Sequence, residues 1–71
     1  MIPTFEIQED SMELVSVLVE SGALPSRGEV KRRVSQGAVK IDKLPISNFR
    51  EIVVAPCIIK YGKRSFLKCI K

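Results

Sequence analysis

Between Ser26 and Asp42 the chain reads Ser26-Arg27-Gly28-Glu29-Val30-Lys31-Arg32-Arg33-Val34-Ser35-Gln36-Gly37, then Ala38-Val39-Lys40-Ile41-Asp42. These residue types at these spacings suit one kind of chemistry, the binding of anions. Ser26 and Glu29 have the spacing of a capping box, which predicts a helix starting at Ser26. Val30 and Val34 form a narrow apolar stripe, and Arg27, Lys31 and Arg32 lie away from it, toward solvent. Arg33 lies nearer the stripe, where its stem can cover the core. Gly37 suits the left-handed position that ends a helix. The N-terminus of such a helix presents free N–H groups and a positive dipole end to a phosphate, and Arg27 beside it can make a bidentate contact.

Lys40 and Lys43 follow just beyond this helix, and Lys60, Lys63, Arg64 and Lys68 fall near the C-terminus. The acids gather in the N-terminal part, at Glu6, Glu9, Asp10, Glu13 and Glu20, so charge is polarised along the chain. The net charge is +4 over 71 residues, with a pI near 9.4. A small basic domain favours an anionic partner, nucleic acid first and an anionic membrane surface second. Each cation alone has a bland use. Lys31 can pair with Glu29 or Glu20, and Lys60, Lys68 and Lys71 can guard sheet edges against aggregation. Taken together on a capped helix and the adjacent turn, they favour nucleic acid. Phe5, Phe49, Tyr61 and Phe66 are few and sit in apolar settings, with Phe66 expected in the core, so no stacking platform for single strands is expected. Recognition by backbone and shape suits structured RNA.

Other chemistry is poorly supported. The chain has no histidine and no tryptophan, which removes the commonest general base and the commonest metal ligand. Its serines therefore have no triad partner, and the two cysteines cannot build the usual four-ligand zinc site. Gly22, Gly28, Gly37 and Gly62 are too scattered for a phosphate-binding loop. Catalysis by this chain alone is not expected, and neither a cofactor nor a metal is. The N-terminus lacks the basic and apolar regions of a signal peptide, and no apolar run nears the roughly 18 residues of a membrane span. The simplest location is the cytoplasm.

One domain follows from the length, with residues 1–10 as a lead-in segment and 11–71 as the domain. In the lead-in, Ile2, Phe5 and Ile7 are expected to pin the chain to the body, while Pro3 argues against a central strand. Asp10 and Glu13 repeat the capping-box spacing and predict a first helix from near Ser11, with Leu14, Val15, Leu18 and Val19 inward and Gly22 as its stop. The second helix runs from about Ser26 to Gln36, and the short link through Pro25 predicts that the two pack together. The remainder reads as β-structure: Val39 and Ile41 in one strand, Ile52-Val53-Val54 in another, and a last hairpin about Gly62-Lys63. A two-residue turn there puts Ile59 opposite Phe66 and Ile58 opposite Leu67. Cys57 and Cys69 then point to opposite sheet faces, which argues against a disulfide and for two free, buried thiols. The fold class is α+β, two packed short helices against a small, mainly antiparallel sheet.

The run 26–42 resembles the small RNA-binding domain named after the fourth protein of the ribosomal small subunit. That domain typically reads S-R-S-E-A-R-R-L-I-x-Q-G-x-V-x-V-N-G, and Ser26, Arg27, Glu29, Arg32, Gln36, Gly37 and Val39 match it. Its helix pair is the αL RNA-binding motif. Arg33 departs from it, standing where an apolar residue is usual, so either the helix is rotated or the arginine stem is packed. Ala38 and Lys43 stand where glycines are common, and Lys43 points to a wider loop before Ile46. Hosts of the domain include the ribosomal protein, pseudouridine synthases, a heat-shock RNA-binding protein and bacterial tyrosyl-tRNA synthetases. The ending Gly62-Lys63-Arg64-Ser65-Phe66 and the opening Ile2-Pro3-Thr4-Phe5 are most similar to the C-terminal domain of the synthetase.

That resemblance implies an excised tRNA-binding domain that grips a long variable arm. It also implies a covalently joined catalytic domain that uses ATP to activate tyrosine. The RNA-binding residues are then expected to be Ser26, Arg27, Lys31, Arg32, Arg33, Lys40, Lys43, Lys63 and Arg64. Two alternatives stay open. One is a stand-alone ribosome-associated RNA-binding protein or a pseudouridine synthase appendage. The other is a protein-interaction domain docking through an exposed sheet edge.

Overall fold

The computed structural model describes residues 2–71. In chain order the elements are β1 (Thr4–Glu6), β2 (Ser11–Glu13), α1 (Leu14–Glu20), α2 (Arg27–Ser35), β3 (Lys40–Ile41), β4 (Leu44–Pro45), β5 (Ile52–Val54), β6 (Cys57–Lys60) and β7 (Phe66–Ile70). Five strands form one sheet in the order β1-β7-β6-β3-β4, antiparallel except where β1 runs parallel to β7. β2 and β5 pair separately and antiparallel. This is the expected α+β arrangement.

A single core joins the layers. α1 contributes Leu14, Val15, Val17 and Leu18, and α2 contributes Val30 and Val34. The sheet answers with Val39, Cys57, Ile59, Leu67 and Cys69. Strand side chains alternate between faces, so Ile58, Lys60, Phe66 and Lys68 lie on the sheet's other face, away from the helices. Among the described residues no helix is long and apolar enough to cross a membrane.

Several expectations are corrected. The first helix starts at Leu14, not near Ser11. Ser11–Glu13 is a strand that places Met12 opposite the buried Val53, and Glu13 at the helix boundary makes no side-chain cap. Once Ser11–Glu13 is held by β5 and the Leu14 N–H donates to the Glu51 carbonyl, the Asp10/Glu13 spacing has no helix end to cap. Within the lead-in segment, β1 is an edge strand of the main sheet, where Pro3 accepts from the Lys68 N–H at 2.8 Å. Phe5 and Ile7 are anchored as expected, but Ile2 is 41 % exposed.

The last hairpin has a register one residue from the expected one. Ile59 faces Leu67 and Lys60 faces Phe66, and Tyr61 closes a three-residue loop by donating to the Ser65 carbonyl. The odd loop length reverses two further expectations. Cys57 and Cys69 become direct cross-strand neighbours on the buried face, both as free thiols, and Phe66 turns out of the core at 37 % exposure. Gly62 is buried at negative φ, and a Cβ there would come within 2.9 Å of Arg33 Nη1. It permits a close approach rather than a type II′ turn.

β3 and β4 are joined by a tight two-residue turn, not a wider loop. Asp42 and Lys43 both take positive φ, 49° and 73°, the conformation a two-residue hairpin turn of type I′ demands. The turn is clamped to β6: Asp42 Oδ1 accepts from the Ile58 N–H at 3.0 Å, and the Asp42 N–H donates to the Ile58 carbonyl at 2.9 Å. Finally, Lys60 and Lys68 lie on β6 and β7, interior strands of the sheet, so they guard no edge.

Candidate nucleic-acid interface

α2 is held as its sequence predicts. Ser26 is extended at the N-cap and its Oγ accepts from the Glu29 N–H at 3.3 Å. The amides of Arg27 and Gly28, at the first positions of the helix, have no carbonyl within the helix to bond. Gly37, at φ 71°, follows the C-cap Gln36. Val30 and Val34 are buried, which turns Arg27, Lys31 and Arg32 outward, and all three are exposed.

Glu29 discriminates between the two adjacent arginines. Its carboxylate takes Arg33 Nε at 3.1 Å and lies 3.8 Å from Arg32 Nη1. The Arg32 side chain is 69 % exposed, so the longer contact adds little stability and leaves the guanidinium free to meet a phosphate. Arg33 is half-buried. Its Nη1 donates to the Tyr61 carbonyl at 3.0 Å. The helix is therefore not rotated, because Arg33 latches α2 to the β6–β7 loop. Gly62 makes the latch possible, and the loop's Lys63 and Arg64 are exposed.

Among the sequence-predicted residues, then, one group forms around α2: Ser26, Arg27, Lys31 and Arg32, with Lys63 and Arg64 brought to it through Arg33. Lys40 and Lys43 belong elsewhere. They line a groove of about 330 Å³ together with Ile2, Asp42, Ile58, Lys60 and Phe66, on the sheet face away from the helices. Lys60 and Phe66 were absent from the expected set. The signal that finds them is hairpin register, which one residue of loop length decides. A second concavity, of about 610 Å³, is lined by Glu6, Glu9, Glu13 and Glu20 and by apolar residues such as Phe5 and Ile7. That acidic end repels the anion the α2 face attracts.

Cys57 is buried, and its desolvation, with Cys69 alongside, pushes its thiol up to about 12. Among the described residues no cluster of three or more His, Cys, Asp or Glu side chains could hold a metal.

The fold and surface thus define a small α+β module with a capped cationic helix laid on a sheet. The family model of the tyrosine–tRNA ligase SYY-like C-terminal domain matches residues 1–68, and the chain belongs to that family. It is 39 % identical over 70 residues to the tyrosine–tRNA ligase of Chlorobaculum tepidum, covering 94 % of this chain and 17 % of the ligase. The tyrosine–tRNA ligase of Thermotoga maritima gives the same identity and coverage. That of Clostridium perfringens is 30 % identical over 77 residues, covering 97 % of this chain and 19 % of the ligase. The chain spans less than a fifth of the length of these relatives.

Proposed function

We propose that this chain grips structured RNA, a tRNA above all, by its phosphate backbone, as the tRNA-binding domain of a tyrosine–tRNA ligase acting in the cytoplasm. The observation that carries the proposal is the exposed arginine and lysine set on the capped helix α2, in a chain of this family. Arg27, Lys31 and Arg32 neutralise phosphates, and the open amides after Ser26 add uncharged donors at the positive end of the helix dipole. Lys63 and Arg64 extend the surface, at a spacing fixed by the Arg33 latch. Lys40 and Lys43 add a second patch. Tyrosine activation with ATP is assigned to a part of the ligase outside these 71 residues, and no residue here is given a catalytic role.

Contacts of this kind carry position rather than base sequence, so their loss weakens all structured RNAs alike. Arg32→Glu is expected to lower affinity for tRNA and to flatten the dependence of log K on log salt by about one unit. An unchanged slope, measured by fluorescence anisotropy from low to moderate salt, contradicts the assignment of this surface.

A further inference from the structure

The sheet face opposite the helices remains unused by the α2 interface, although it carries the molecule's exposed aromatic ring. Ile58 is 40 % and Phe66 37 % exposed, and with Ile2 they make the apolar part of the groove. Its cations are Lys40, Lys43 and Lys60. Among the described residues the one carboxylate lining it, that of Asp42, accepts from the Ile58 N–H. Lys68 lies on the same face, opposite Ile58. Lys60 Nζ stands 5.6 Å from the centroid of the Phe66 ring.

We propose that this groove takes one unpaired nucleotide of an RNA, its base stacked on Phe66 and the adjoining phosphates on Lys40, Lys43 and Lys60. The inference rests on the RNA-binding function proposed above and adds the part of the RNA, a single-stranded base, that the helix surface does not read. A base offers what this groove matches, a flat apolar surface bordered by negative charge. The Lys60 ammonium over the ring is the group a base displaces, and a phosphate one step along the strand gives it a new partner. Among the described residues these three ammonium groups make no ion pair, so a protein partner with an apolar face would have to bury them uncompensated, which costs more than it returns.

Lys43 supplies an independent argument. It sits at φ 73°, where glycine is relaxed and a lysine is strained. Backbone strain of this kind clusters at ligand-binding sites, and here the side chain lines the groove.

The test uses the 71-residue chain and a short single-stranded RNA carrying one 2-aminopurine, whose fluorescence falls when it stacks. Binding should quench the probe. Phe66→Leu, which keeps an apolar side chain at a partly exposed position, should weaken the strand about tenfold, the scale of one lost stack, and abolish the quench. Phe66→Trp should restore both. Binding of a blunt RNA stem should change less than twofold in either variant, which excludes a folding defect as the cause. A bound strand without quenching, or equal affinities for the parent chain and Phe66→Leu, overturns the inference, as it must if the groove seats another protein. Those results with tRNA binding intact leave the proposed function standing, whereas a parent chain that binds neither strand nor tRNA overturns both.

Discussion

The two helices are of similar length and lie side by side, yet they are made in opposite ways. α1 turns four of its seven residues fully inward: Leu14, Val15, Val17 and Leu18. It has no side-chain cap, no acid in its first turn and no base in its last. α2 buries only Val30 and Val34, and it compensates with the Ser26 cap and the Glu29–Arg33 pair. Burial stabilises α1, while local polar bonds stabilise α2 and leave its surface free for charge. One helix is there to hold, and the other, held by it, is there to present.

This contrast can be broken from either side, beginning with the largest effect. Leu18→Ala empties a fully buried position and is expected to cost about 3 kcal/mol. For a 71-residue domain that is a large share of the total stability, so urea denaturation should find the variant largely or wholly unfolded. Ser26→Ala removes only the cap and should cost about 1 kcal/mol, seen as a fall in melting temperature of several degrees. If the two substitutions cost the same, the division between the helices is wrong. A smaller effect of opposite sign is expected at the β3–β4 turn. Lys43→Gly relieves the positive-φ strain and should stabilise the chain by about 0.5 kcal/mol, while weakening single-stranded RNA about threefold through the lost cation.

The core beneath both helices gives a pH signature. The Cys57 thiol is raised to about 12 in the fold from an ordinary 9.0, so the folded chain keeps a proton that the unfolded chain releases. Its contribution is complete below pH 9 and is lost as the pH climbs toward 12. Melting temperatures at pH 8 and 10.5 should therefore fall more steeply for the parent chain than for Cys57→Ala. The raised value also starves the thiol of thiolate, by about a thousandfold at neutral pH, so iodoacetamide should label the native chain far more slowly than the urea-unfolded one.

What the sequence made legible was what local physics decides. The α2 boundaries, its cap, its buried valines and its Gly37 stop all follow from residues within one turn of each other. The α+β class followed from two helical periods and the β-branched runs after them. What stayed hidden depended on distant partners. Ser11–Glu13 has a helix-start spacing, and only its pairing with Ile52–Val54 makes it a strand. The β6–β7 register turned on one residue of loop length, closed by the Tyr61–Ser65 bond, and with it went the positions of both cysteines and of Phe66. Lys43 looked incompatible with a tight turn because the bonds that hold Asp42 come from β6. The placement of the α2 cations was thus readable from the chain alone, whereas the groove that joins Lys40 and Lys43 to Lys60 and Phe66 was not.

The most direct test of the central claim, that the α2 face grips RNA backbone, is to titrate the chain across several salt concentrations with three ligands. They are a tyrosine tRNA with a long variable arm, a tRNA without that arm, and duplex DNA. The account predicts tightest binding to the long-armed tRNA, with affinity falling steeply as salt rises. Weak binding that does not change with salt, for any of the three, would contradict it.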